Sequence, residues 1–413
     1  MSDLGLVNSM KALKEVKKVN NNSAKLTNGL QLGSRIALMS DSIGQSPFYV
    51  GNPGGNNDNI RMRGETWIAT ASIHSGGLIR IGINAAVAGN TTQQMLDRID
   101  TDLGLRVNEW DTLTICGGVN DALLQPTETA KNIEAMAIKA LQWGKNVIFC
   151  TLFPANAHNE RTRIRKINYL VSALAAKYHA PLIDFHNEFL DPVTGGWKTG
   201  LNYDSIHPNL AGVNKAGKFF ADKIKPLMQT ATSFIALDNL DTRVLINGNT
   251  FNPLWLIDSN GDSIPDGFSV SANPGGYVYE FSNNPTFDAD AVRCKITSTG
   301  SETGSFNVNA SFLNDKWAVG DLCQVALKIK FIPGTVGIAA PKFTLRVVAT
   351  GSVEGYAFQQ ELQANHNGII VSEPFAIPNG TTAFLYRMEV SGGAFDTEFS
   401  RPTLINLTKQ GMI

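Results

Sequence analysis

The sequence predicts an α/β protein with a second, all-β part: a three-layer α/β/α domain on a mainly five-stranded parallel sheet, followed by a C-terminal β-sandwich or jelly roll. Three observations predict it. At 413 residues the chain exceeds one ordinary core, since domains hold roughly 100 to 200 residues, so two globular units are expected. From Arg35 to about Leu227, short apolar runs alternate with helix-period segments, the pattern of βα units around a parallel sheet covered on both faces. After Leu227 the helical period vanishes, and short alternating runs separated by Gly, Asn and Pro clusters take over, as antiparallel sandwiches read.

Taken in order, Leu6, Met10, Leu13 and Val16 form an apolar stripe with lysines between, fitting a short amphipathic helix in a segment over 1–30. Its apolar face needs a partner: its own domain, or another copy if it is an oligomerising or tethering segment. A domain over 31–230 then offers strands at Arg35 to Met39, Leu78 to Ala85, Thr112 to Cys116, Asn146 to Leu152 and Pro181 to Phe185. Helices are expected at Thr91 to Leu103, Glu128 to Trp143, Arg161 to Tyr178 and Leu210 to Leu227. The β-rich domain spans 236–413, with runs such as Val325 to Phe331, Phe343 to Val348 and Phe384 to Val390.

With 43% hydrophobic and 17% charged residues the composition is that of folded protein. The 35 basic and 36 acidic residues leave a net charge of -1, which provides no footprint for nucleic acid or an anionic membrane. A neutral or weakly charged substrate is expected. Met1 to Asn20 lacks the apolar core of a secretory signal, and the longest apolar runs are strand-length, below the roughly 20 residues that span a bilayer. An extracellular or virion-associated location would then need a signal-independent route. Four scattered cysteines make no disulfide framework: Cys116 and Cys150 read as buried thiols, and pairing of Cys294 with Cys323 stays open. Zinc-type Cys/His spacing is absent.

The chemistry-bearing residues lie at strand ends. Ile36-Ala37-Leu38-Met39 runs into a polar turn, Ser40-Asp41-Ser42-Ile43-Gly44, at the carboxyl edge where ligand-facing groups of an α/β sheet gather. Ser-Asp-Ser also makes ordinary turns and helix caps. Asp204-Ser205-Ile206-His207-Pro208 places a carboxylate three residues before a histidine, where it can hold the Nδ1 proton and leave Nε2 free to accept another. A loop histidine with a capping aspartate would read the same way. Two further loops, Val87-Ala88-Gly89-Asn90-Thr91-Thr92 and Gly117-Gly118-Val119-Asn120-Asp121, follow the second and third strands. Ser42 N–H, Gly89 N–H and the Asn120 amide would make three donors for an oxyanion.

These four blocks, in this order, resemble the SGNH (GDSL-like) hydrolase family, whose flavodoxin-like members carry Ser, Gly, Asn and His in four successive motifs. The first block appears as Ser40-Asp41-Ser42-Ile43, with Ser40 in place of glycine and Ile43 in place of leucine. Gly89 matches the second, Gly118-Val119-Asn120-Asp121 the third and Asp204-Ser205-Ile206-His207 the fourth, the likeness covering roughly Ser34 to Lys225. The resemblance implies a serine esterase with Ser42 as nucleophile, His207 as base and Asp204 orienting it, and no cofactor for catalysis. The stretch Phe48 to His74 is longer than a compact member needs and is expected to shape substrate access, with Trp67 and Arg63 as candidate contacts or as plain loop packing.

In the β-rich part, Asp258, Asn260, Asp262 and Asp266, with the Ile264 carbonyl, have the alternating spacing of a calcium loop, and a plain Asx-turn loop fits equally. The architecture resembles carbohydrate-binding modules. Trp255, Tyr277, Tyr279, Trp317, Tyr356 and Phe358 would supply a sugar platform or simply core. The substrate expectation is an O-acetylated glycan; lipid or thioester acyl groups, and an adhesion or tail protein that trims a glycan receptor, are the alternatives.

Overall fold

The computed structural model describes residues 31–45, 48–50, 60–62, 65–228, 235–239, 241, 244, 252–273, 277–298, 304–312, 316–334, 340–352 and 355–411. The N-terminal segment 1–30 and Arg63 lie outside the described residues. Two compact units form. One is built from Met1–Gln45, Gly82–Asn209 and Asp222–Ala231, the other from Ser46–Ile81, Leu210–Ala221 and Thr232–Ile413.

The first unit holds five strands: β1 Arg35–Ser40, β4 Arg80–Asn84, β5 Thr112–Cys116, β6 Asn146–Cys150 and β7 Leu182–Ile183, in the order β4-β1-β5-β6-β7. β1 pairs parallel with β5, β5 with β6 and β6 with β7. The chain therefore leaves β1 to one side for β4 and returns to the other for β5. That reversal makes the carboxyl end of β1 a topological switch point, where the ends of adjacent strands open a crevice. Every residue of β5 is buried, as a strand covered on both faces requires.

Helices α3 (Thr92–Ile99), α4 (Pro126–Gln142) and α5 (His158–Lys177) follow β4, β5 and β6. Their apolar stripes share one core with the sheet, including Met95, Ile133, Met136, Ile164, Ile167 and Val171 against Met39, Ile115 and Phe149. Thr91 caps α3 in a reciprocal capping box with Gln94, and proline at the first position starts α4. A four-residue helix, α1 (Ser42–Gln45), follows β1, and a short α6 (Phe185–Phe189) follows β7.

The second unit is a sandwich of two sheets. One has the order β15-β12-β18-β10-β9, with β16 beside β12; the other runs β2-β3-β14-β13-β17-β11-β8. Its strands are β2 Phe48–Val50, β3 Ile60–Met62, β8 Ser269–Asn273, β9 Val278–Asn284, β10 Asp288–Ser298, β11 Ser305–Phe312, β12 Leu322–Pro333, β13 Lys342–Thr350, β14 Gly355–Leu362, β15 His366–Val371, β16 Phe375–Ala376, β17 Ala383–Ser391 and β18 Phe395–Asn406. Phe343 of one sheet meets Phe399 of the other at 5.8 Å, and the buried Tyr386 hydroxyl donates across to the Ala326 carbonyl at 3.0 Å.

Segments 46–81 and 210–221, expected in the first domain, group with the sandwich. β3 adds to β14 in parallel, and β2 closes that edge. Glu65, buried, accepts from the backbone N–H groups of Gln363 and Ala364 at 2.7 Å each. Helix α2 (Trp67–His74) packs on β15, and Trp67 meets Phe220 of α7 (Leu210–Ile224) at 5.2 Å between ring centroids. Trp67 is fully buried. Its indole is core, so of the two readings the sequence left open it takes the packing one.

Among the described residues, no helix is long and apolar enough to cross a membrane. Cys294 and Cys323 are free and buried, as are Cys116 and Cys150.

Candidate active site

Ser42 stands where β1 stops. Asp41 Oδ1 accepts the Ile43 N–H at 3.0 Å, and the Asp41 carbonyl accepts from Gly44 and Gln45, so the aspartate turns strand into helix α1. Gly44 permits this: a Cβ there would sit 2.5 Å from Ser40 Cβ. The serine in place of the usual glycine has work of its own, since Ser40, fully buried, donates its hydroxyl to the Cys116 carbonyl and ties the ends of β1 and β5 together. Ser42 opens α1, so its N–H has no partner four residues back within the helix.

The Ser42 hydroxyl lies 2.8 Å from His207 Nε2, across 165 residues of chain. On the far side of the ring, Nδ1 is 2.7 Å from Asp204 Oδ2. Asp204 Oδ1 accepts the N–H groups of Ile206 and His207, at 2.8 and 2.7 Å. Partial burial pushes the Asp204 carboxyl up, and the N–H groups of His207 and Ile206 outweigh it, holding its pKa below the usual value. With its proton on Nδ1 toward the carboxylate, the imidazole presents a bare Nε2 to the serine hydroxyl, an arrangement able to draw a proton from Ser42.

The loops after β4 and β5 close on the same edge. Val87 N–H donates to the Ser40 carbonyl at 3.1 Å, and the Asn120 side-chain amide donates to the Asn90 carbonyl at 3.1 Å. Gly89 and Gly118 take φ of +78° and +119°, a region that side chains with a Cβ rarely enter. Thus all four blocks lie on loops at the carboxyl ends of the neighbouring strands β4, β1 and β5 and on the 202–208 loop.

Three further residues build the site, one inside a recognised block and two that had not stood out in the sequence. Asp121, buried, accepts the Thr92 N–H at 2.8 Å and the hydroxyls of Thr92 and Thr129, lashing the Asn120 loop to the start of α3. Arg163 of α5 grips the Gly118 and Val119 carbonyls at 3.1 and 2.7 Å. Tyr203 lays its ring parallel to the His207 imidazole. Asp121 belongs to the third block and Tyr203 adjoins the fourth, which is a local signal; Arg163 has none. Asp41 is also unlike a surface turn residue, because complete burial raises its pKa to about 6.

The 258–266 loop does not assemble as a cation site. Asp258 accepts from the N–H groups of Gly261 and Ser263 at 2.9 and 3.0 Å, Asn260 from Asp262 at 3.1 Å and Asp262 from Ile264 at 2.8 Å. Asp266 accepts the Ser259 N–H and hydroxyl. Among the described residues no three acid, His or Cys side chains are grouped to hold a metal ion. The side-chain oxygens of the loop complete Asx turns to its own backbone N–H groups. Of the candidate sugar-platform aromatics, Trp255, Tyr277, Trp317 and Phe358 are buried, Trp255 against Phe268, Phe281 and Phe399, whereas Tyr279 is 42% exposed and Tyr356 half-buried.

Residues 49–214 match the family described as GDSL-like Lipase/Acylhydrolase. The match contains Gly89, Asn120, Asp204 and His207 and begins after Ser42. No curated protein matches the chain in sequence. Among solved structures it is similar to a lipase/acylhydrolase from Enterococcus faecalis, at 21% identity over 48% of this chain and 100% of that one, TM-score 0.36. An acetylxylan esterase from Geobacillus stearothermophilus aligns at 17% identity over 49% and 99%, TM-score 0.38. A GDSL-like lipase from Bacteroides thetaiotaomicron aligns at 18% over 47% and 86%, TM-score 0.36.

Proposed function

We propose, from the premise that the chain carries a GDSL-like lipase/acylhydrolase domain and is a carboxylic ester hydrolase, that Ser42 is its nucleophile, His207 its general base and Asp204 the group that orients His207. The observation that carries this reading is the unbroken run of contacts at 2.8 and 2.7 Å from hydroxyl through imidazole to carboxylate. As Ser42 Oγ bonds to the ester carbonyl carbon, its proton passes to Nε2; that proton goes to the alcohol oxygen as the ester bond breaks, leaving the acyl group on Ser42. Water then gives a proton to Nε2 and its oxygen to the acyl carbon, and the Ser42–acyl bond breaks as the proton returns to Oγ. The N–H groups of Ser42 and Gly89 and the Asn120 amide are assigned to the oxyanion, where losing one donor typically costs ~10² to 10³ in turnover.

We assign the leaving group to a glycan hydroxyl and the acyl group to acetate. The Asp204 side chain is 42% exposed and Tyr203 66% exposed, so the relay lies open to a bulky alcohol, and the net charge of -1 suits a neutral polymer. A longer acyl group is the second reading, favoured by exposed Val87 and Leu123 on the loops that carry Gly89 and Asn120. The test compares acetate release from acetylated glycans with cleavage of short and long nitrophenyl esters. Short acyl groups should react faster, and Ser42→Ala and His207→Ala should each lose roughly 10³-fold or more. Faster cleavage of long chains would overturn the acetate assignment, and an active Ser42→Ala would overturn the nucleophile.

A further inference from the structure

We infer that Tyr203 is a positioning residue for the base: its ring holds the His207 imidazole in the orientation that faces Asp204 and Ser42 together. The inference deepens the reading of His207 as base and rests on it. The two rings are stacked, 6° from parallel with centroids 5.4 Å apart. The backbone sets them there, because residues 202–208 form a small hairpin in which Asn202 bridges Pro208 and Tyr203 N–H donates to the His207 carbonyl at 3.2 Å. Asn209 closes its base, donating from its side chain to the Gly200 and Asn202 carbonyls at 2.9 and 3.3 Å.

The imidazole needs such a support. An orienting carboxylate works best away from water, yet the Asp204 side chain is 42% exposed and its hold on Nδ1 meets solvent competition. The His207 side chain is only 21% exposed even so, and the tyrosine ring lies parallel to it, 5.4 Å away between centroids. Beside Asp204, the Ser42 hydroxyl and, through space, the buried Asp41 also face the imidazole.

The test uses the full chain with Tyr203→Leu, which removes the ring and keeps an apolar side chain, and Tyr203→Phe, which keeps the ring. On a short ester, Tyr203→Leu should lower kcat about fivefold to tenfold with KM changed less than about twofold, and Tyr203→Phe should keep both within about twofold. A readout free of turnover is taken in a Ser42→Ala background: the His207 Nδ1 proton held toward Asp204 should give a resolved downfield resonance. It should persist with Tyr203→Phe and broaden into water exchange with Tyr203→Leu. An unchanged kcat and an unchanged resonance in Tyr203→Leu would each overturn the inference, as would equal losses in the Leu and Phe variants. An active Ser42→Ala would sink the nucleophile assignment instead, leaving the resonance to judge Tyr203 separately.

Discussion

The hairpin at 202–208 and the loop at 258–266 begin alike. In each an aspartate folds back on its own backbone, Asp204 Oδ1 taking the Ile206 N–H at 2.8 Å and Asp258 Oδ1 the Gly261 N–H at 2.9 Å. They part at the second oxygen. Asp204 Oδ2 faces His207, whose far nitrogen meets Ser42 of a distant strand end; Asp258 Oδ2 returns to the Ser263 N–H of the same loop. Turn formation is thus common to both, and a spare oxygen gains a chemical use only where another element brings it a partner. Asp41 is a third version: it makes the same turn at Ile43, but completely buried.

The largest expected effect tests the spare oxygen of Asp204. Asp204→Asn keeps an acceptor for the turn but sets a donor against Nδ1, favouring the wrong tautomer, and kcat should fall roughly 10² to 10⁴-fold. Steady-state rates with a soluble ester measure this, and a loss below about tenfold would place Asp204 with the self-satisfied loop. Next comes Asp41, whose carboxyl titrates near 3.8 when unfolded and, raised by burial, at about 6 when folded. The folded chain binds the proton more tightly in that window, so this group favours folding most below the lower value and its contribution is lost as pH rises to about 6. Asp41→Asn should therefore gain on the unsubstituted chain by about 3 kcal/mol between pH 4 and 7 in denaturant titrations. Parallel pH curves would show that the burial of this carboxyl is without consequence.

The smallest effects belong to the 258–266 loop. Asp266→Ala should cost about 1 kcal/mol through the lost Ser259 contacts. Millimolar calcium should leave the melting temperature within about 1 °C, because a ligand stabilises only what it binds. A rise of several degrees would mean that the oxygens can turn from their backbone partners to a shared cation, erasing the contrast with the hairpin.

Much of this was legible beforehand, for local reasons. The strand expected at Thr112 to Cys116 is found there, and the elements expected at Asn146 to Leu152, Glu128 to Trp143 and Arg161 to Tyr178 appear at Asn146–Cys150, Pro126–Gln142 and His158–Lys177, within three residues, since period and turn chemistry are properties of neighbouring residues. The four blocks were readable because each sits at the end of such an element. Trp67 stayed undecided because a tryptophan in a long connection looks the same whether it faces a ligand or Phe220.

By itself, then, the sequence determined the kinds and order of the elements, the change of architecture after Leu227 and the residues with chemistry to offer, all of them encoded within a few positions. Only the tertiary structure decided that 46–81 joins the sandwich through β14, that Arg163 and Asp121 brace the Asn120 loop, and which aspartate oxygens face a distant group. Those outcomes depend on partners tens to hundreds of residues away, and no local pattern carries the position of a partner that the fold has yet to bring near.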